Sequence, residues 1–226
     1  MPQPLSKVDS STPILFHPKA LSERPELAAL IARAIAGWSE IEGQMSFLLV
    51  RLLGANAEPG LAMFSAITSA PAQIASVKAA AQSVLDNDRY EMLSAVLSIA
   101  GRQATQRHHL AHRIWGLSDD LPDALILADP KDLASYWMTV FEAARAFAAW
   151  RNPPKFDYPR DRIFVYRKND LDSVIADMDE VRDYFYQLGF LVEPEDQWRD
   201  QILRYLGDKP RIQEALTRNR KPQRTQ

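Results

Sequence analysis

Three of the four histidines in this 226-residue chain lie within five positions, in the run Arg107-His108-His109-Leu110-Ala111-His112-Arg113-Ile114-Trp115-Gly116. An imidazole exchanges protons near neutrality, with an ordinary pKa of roughly 6.5. The flanking arginines carry planar guanidinium groups, which grip phosphate or carboxylate oxygens. Proton transfer beside a held anion is the chemistry these residue types suit. Metal binding is the competing use. His108 and His112 have the i,i+4 spacing of a shared zinc ligand pair, but the glutamate of a His-Glu-x-x-His site is missing from the interval His109-Leu110-Ala111. We therefore expect neither a metal nor another cofactor.

These residues need an element to position them, and the pattern predicts a helix. Asp88 and Glu91 have capping-box spacing, and Leu93, Val96, Leu97, Ala100 and Ala104 form an apolar stripe. The expected helix runs to Trp115 and stops at Gly116. At 100° per residue, Arg107 falls about 40° to one side of the stripe defined by Leu93, Ala100, Ala104 and Ala111, and His108 about 60° to the other. His112 is on the border, whereas Arg102, His109 and Arg113 point outward.

A buried guanidinium requires a carboxylate, a bound anion or a solvated cleft. Two uses of Arg107 and His108 stay open. In one they form a site, with Arg102 and Glu42 as accessory binding residues. In the other Arg107 pairs internally with Glu42 or Glu40, and His108 is a hydrogen-bonded core residue. Arg113 complements the helix dipole, and His109 is solvated or at a subunit contact. Arg107 and His112 lie about 140° apart on one helix, too far apart for both to grip one phosphate easily. A two-fold axis would bring one subunit's arginine to the other's histidine, so a homodimer is expected.

Around this segment the chain reads as mainly α, with a small two-stranded β element and C-terminal helices. Residues 1–20 are rich in Pro, Ser and Thr and read as an irregular arm. Residues 21–206 read as one helical domain, and 207–226 as a short helix and basic, mobile tail. A long helix is expected over Glu23–Leu53, capped by Ser22 and ended by Gly54. Shorter helices follow near 58–68 and 71–86. Asp123–Ala128 and Arg162–Arg167 read as the strands. Between them Asp129 and Pro130 open a helix continuing to about Trp150. Further helices are expected over Asp170–Leu188, ended by Gly189, and over Trp198–Leu206.

Composition excludes several classes. The chain has no cysteine, hence no disulfide framework and no thiolate metal site. A formal charge of -2 gives no overall pull toward nucleic acid or an anionic membrane. No apolar run approaches the ~20 residues of a membrane span, and no signal-peptide pattern opens the sequence. A cytoplasmic protein is the default expectation.

Arg107-x4-His112, with a polar residue after the arginine and Ala111 before the histidine, resembles the Arg-x(4–6)-His motif of the HEPN superfamily. The ending Ala111-His112-Arg113-Ile114-Trp115-Gly116 is similar to the Ala-His-Gly-x-Trp-Gly ending of some bacterial HEPN-like proteins of unknown role. Arg162–Tyr166 and Asp170-Leu171 resemble the extended segment and acidic-leucine helix start that follow in such proteins. His108 stands where Asn or Asp is usual, and Arg113 where Gly is. The resemblance implies an all-α bundle and a metal-independent endoribonuclease of toxin or defence type, working at a composite dimer site. His112 is then the general base or acid, Arg107 holds the scissile phosphate, and His108 is a second acid/base or a positioning group. The products are 2′,3′-cyclic phosphate and 5′-hydroxyl ends, and the partners RNA and an antitoxin or other protein. The alternative is a HEPN-like protein that binds RNA, nucleotide or a protein without cutting.

Overall fold

A computed structural model of the chain describes residues 2–9, 11–146, 158–193 and 198–220. The elements run β1 (Gln3–Pro4), α1 (Leu5–Val8), β2 (Leu15–Phe16), α2 (Pro25–Leu53), α3 (Ala57–Ser65), α4 (Ala70–Val84) and α5 (Asn87–His112). They continue with β3 (Ile114–Leu117), β4 (Ala124–Ala128), α6 (Pro130–Ala146), β5 (Ile163–Arg167), α7 (Lys168–Leu191), α8 (Arg199–Gly207) and α9 (Pro210–Arg220). The described chain is mainly helical, as expected. It divides into two compact units, Met1–Arg33 with His108–Val174 and Ala34–Arg107 with Ile175–Gln226.

The first unit is built on a sheet larger than the expected pair. Five antiparallel strands lie in the order β1-β5-β4-β3-β2. Strands β4 and β5 fall where the sequence places them. The supposed irregular arm supplies both edge strands, each two residues long and too short to show any periodicity. Strand β3 takes Ile114 and Trp115 out of the expected helix, because Ile114 pairs with Ala128 and Trp115 with Leu127. Ala124, Ile126, Ala128, Ile163 and Val165 form one core face with Leu5, Leu121 and Leu133. Leu125, Leu127 and Tyr166 are buried as well. Strand β4 is thus covered on both sides, which explains its unbroken apolar run Ala-Leu-Ile-Leu-Ala.

In the second unit the buried residues come from helix stripes: Trp38, Ile41, Met45 and Leu48 of α2, Leu93, Val96 and Leu97 of α5, and Met178, Val181, Phe185 and Leu188 of α7. Gly54, at φ 56, terminates α2 in the left-handed conformation typical of a helix-ending glycine. Asp86 caps α5, its carboxylate accepting the Arg89 N–H at 3.1 Å, two residues ahead of the expected Asp88. Helix α7 opens with Asp170 reaching back to the Arg167 N–H at 3.0 Å. It runs through Gly189 instead of stopping there, since Leu188 and Leu191 are both buried. The basic tail is folded as far as Arg220. Arg211 bonds Asp177 and Glu180 at 2.7 and 2.8 Å, while Ile212 and Ala215 are buried. Trp150, the expected end of α6, and residues 221–226 lie outside the described residues.

Candidate functional site

Strand register creates the site. The β3–β4 hairpin pairs Ile114 with Ala128, so Arg113 and Asp129, one residue farther out on each strand, face each other. Arg113 follows the last residue of α5 and Asp129 precedes the first of α6, so the end of one helix meets the start of another. Between them opens a cleft of about 320 Å³ lined by His108, His109, His112, Arg113, Asp129, Pro130 and Lys131.

His108 and His112 are one helical turn apart and both are exposed, with ring centroids separated by 4.7 Å. His109 is half-buried, 6.4 Å from His108, and its Nε2 lies 3.3 Å from Arg113 Nη2. Burial, reinforced by the positive charge of Arg113 and by His108, lowers its pKa from the ordinary 6.5. Arg113 is held on several sides. Its Nε is 3.8 Å from the Asp129 carboxylate, and its guanidinium lies over the Phe164 ring at 5.9 Å. Asp129 also accepts the Lys131 N–H at 2.9 Å, closing the first turn of α6. Asp129 thereby fills this helix start itself, since Pro130 has no N–H and the Leu133 N–H goes to the Asp129 carbonyl at 3.1 Å. Below the cleft Trp115 donates from its indole to the Leu110 carbonyl at 3.3 Å and meets Tyr166 edge-on. Burial raises the Tyr166 hydroxyl to about 12, so it stays protonated.

The residues nominated from sequence separate in this fold. His108 and His112 come together in the cleft. Arg107 is half-buried and is not among the lining residues; its Nε is buried without a hydrogen-bond partner among the described residues. Neither Glu42 nor Glu40 pairs with it among the described residues; Glu40 instead bonds Arg182 at 2.8 Å. Arg102 is exposed and Glu42 half-buried.

The stripe arithmetic needs a correction. Gln103 and Leu110 are buried while Ala111 is exposed, so the inner face of the last turns passes along Arg107's side. Leucine gains more than alanine by burial, and that difference turns His108 and His112 outward. A core role for His108 is thereby excluded. Sequence reasoning also missed Lys131 and undervalued His109, Arg113 and Asp129. Recognising Ile114–Leu117 as a strand would have exposed the Arg113–Asp129 juxtaposition.

Among the described residues no group of three or more His, Cys, Asp or Glu side chains is placed to hold a metal ion. Among them, too, no helix is long and apolar enough to cross a membrane. No protein-family model, no curated protein and no solved structure matches the chain.

Proposed function

We propose that this cleft cuts RNA without a metal ion, as the HEPN-like motif implies. The observation that carries the reading is the exposed pair His108 and His112, 4.7 Å apart in a cleft that also holds Arg113 and Lys131. A phosphodiester transfer needs one group to take a proton and one to give it, beside cations that steady the phosphate. His112 takes the ribose 2′-hydroxyl proton as that oxygen attacks the adjacent phosphorus. The bond to the 5′-oxygen breaks, and His108, protonated, gives that oxygen its proton. The products are a 2′,3′-cyclic phosphate and a 5′-hydroxyl. The Lys131 ammonium holds the non-bridging oxygens.

Arg107 enters through a second copy of the chain. In the arrangement the motif resembles, one subunit's arginine braces the phosphate at the other's histidine, so the working species is a homodimer. A toxin or defence role, with an antitoxin as its protein partner, belongs to the same reading.

The test is incubation of the full chain with single-stranded RNA in excess EDTA. Cleavage should persist, and His112→Ala, which removes an acid/base group, and Arg107→Ala, which removes a phosphate-bracing cation, should each reduce it at least about 100-fold. Light scattering should give the mass of two chains. Cleavage that EDTA abolishes, or that survives both substitutions, contradicts the reading.

A second reading has one observation in its favour. Arg113 is already engaged by Asp129, His109 and Phe164, which suits a cleft that binds RNA, nucleotide or a protein without cutting. On that reading wild-type protein binds RNA and leaves it intact.

A further inference from the structure

Helix α6 opens at the cleft and then displays large apolar side chains to solvent. Trp137, Met138 and Phe141 are 48%, 57% and 58% exposed, whereas Leu133 is fully buried and Tyr136 stacks on Tyr158 with ring centroids 4.1 Å apart. The inner face therefore has its partners and the outer face carries the surplus. At 100° per residue, Lys131, Ala134, Met138, Phe141 and Arg145 share an arc of about 80°, with Trp137 about 40° beyond Phe141. One exposed stripe thus begins with a cation in the cleft, continues through two aromatics and a methionine, and ends with a second cation.

The spacing of that stripe also suits helix pairing, but the charges oppose a second copy. Laid parallel, two such stripes set Lys131 against Lys131 and Arg145 against Arg145. Laid antiparallel, they set Lys131 against Arg145. Glu142 is about 20° from Lys131 and 60° from Arg145 by the same arithmetic, so this face carries one acid beside its two cations and stays net positive. Exposed aromatics with a cation at either end of the stripe fit a polyanion whose own aromatic faces are available, which is an unpaired nucleic acid strand. Trp137 and Phe141 stand about 9 and 15 Å along the helix axis from Lys131, at a rise of 1.5 Å per residue. A strand anchored by its phosphate at Lys131 reaches both.

We propose that the outer face of α6 is a base-stacking track for single-stranded RNA leaving the cleft, with Trp137 and Phe141 as the stacking residues. This rests on the RNA-cutting reading of the cleft and adds to it the requirement for unpaired bases on one side of the scissile bond.

The test uses the full chain in EDTA and two probes. The first is a fluorescein-labelled twelve-nucleotide oligouridylate, titrated against protein carrying His112→Ala so that the probe survives. The second is the dinucleotide UpA, too short to span from the cleft to Phe141, whose cutting is followed with His112 intact. Adding Trp137→Ala and Phe141→Ala should weaken oligouridylate binding at least about ten-fold, since each stacked base contributes about 1–3 kcal/mol. UpA cutting should be unchanged, and Trp137→Phe with Phe141→Tyr should restore the affinity. If UpA is cut and the alanine pair leaves oligouridylate affinity intact, the track is wrong while the cleft stands. If the pair instead splits a dimer without changing that affinity, the face belongs to a second copy and the track is again wrong. If wild-type protein cuts neither UpA nor longer RNA, the cleft reading falls first and takes the track with it.

Discussion

His109 is the residue whose environment makes the clearest demand on solution behaviour. Burial and the Arg113 charge lower its pKa in the folded protein below the unfolded value of 6.5. The unfolded chain then binds the proton more readily, so stability is full above pH 6.5 and falls as the pH drops toward the folded value. Thermal unfolding between pH 8 and 5 should show that fall, and His109→Gln should flatten it. An unflattened slope would put the pH dependence elsewhere. At this scale the sequence showed the cluster of titratable and charged side chains but misjudged which way they face. Three imidazoles beside two guanidinium groups stand out in any composition, whereas the facing of His108 and His112 depends on whether Leu110 or Ala111 turns inward. Arg107 shows the same limit: its position near the buried face was legible, but not its lack of a carboxylate partner among the described residues, where Glu40 instead bonds Arg182.

At the scale of elements, the hairpin of β3 and β4 brings Arg113 to Asp129, and the other edge of β3 depends on Gly116. A Cβ there would stand 2.8 Å from Phe16 Cδ1 and 2.9 Å from the Leu15 carbonyl, too close for either to remain in place. Gly116→Ala should cost about 1–3 kcal/mol, the usual penalty of overpacking. Amide exchange should quicken at Leu15 and Phe16 while β4 and β5 stay protected. Equal loosening of all strands would contradict this account of the edge. Strands β4 and β5 were legible because an apolar run and an alternating run each fill one strand. Strands β1 and β2 were not, since two residues define no period. Strand β3 was hidden because Ile114 and Trp115 continue a plausible helical stripe, and only pairing with β4 distinguishes the two conformations.

At the scale of the molecule, the C-terminal charges work inside the second unit. Arg211 reaches Asp177 and Glu180, and Arg220 reaches Glu91. Burial alone would raise the Glu180 carboxyl, but hydrogen bonds from Tyr184 and Arg211 outweigh it and hold the group below its ordinary value. This contribution is present above the unfolded value of 4.5 and is lost as the pH falls through the lower folded one. Because all three side chains are partly exposed, Arg211→Met should cost only about 1 kcal/mol by urea unfolding at pH 7. The difference from wild type should shrink in acid. A difference that grows in acid would contradict the linkage. The sequence read this stretch as a short helix and a mobile basic tail, because ion pairs across 31 and 34 positions leave no local pattern.

The central claim is that His108 and His112 form an acid–base pair for cutting RNA. End-group analysis tests it most directly: single-stranded RNA is incubated with the full chain in EDTA and its new termini are identified. The account predicts 2′,3′-cyclic phosphate and 5′-hydroxyl ends with wild-type protein, and neither with His112→Ala. RNA left intact, ends bearing a 5′-phosphate, or cyclic ends at an undiminished rate with His112→Ala would contradict it.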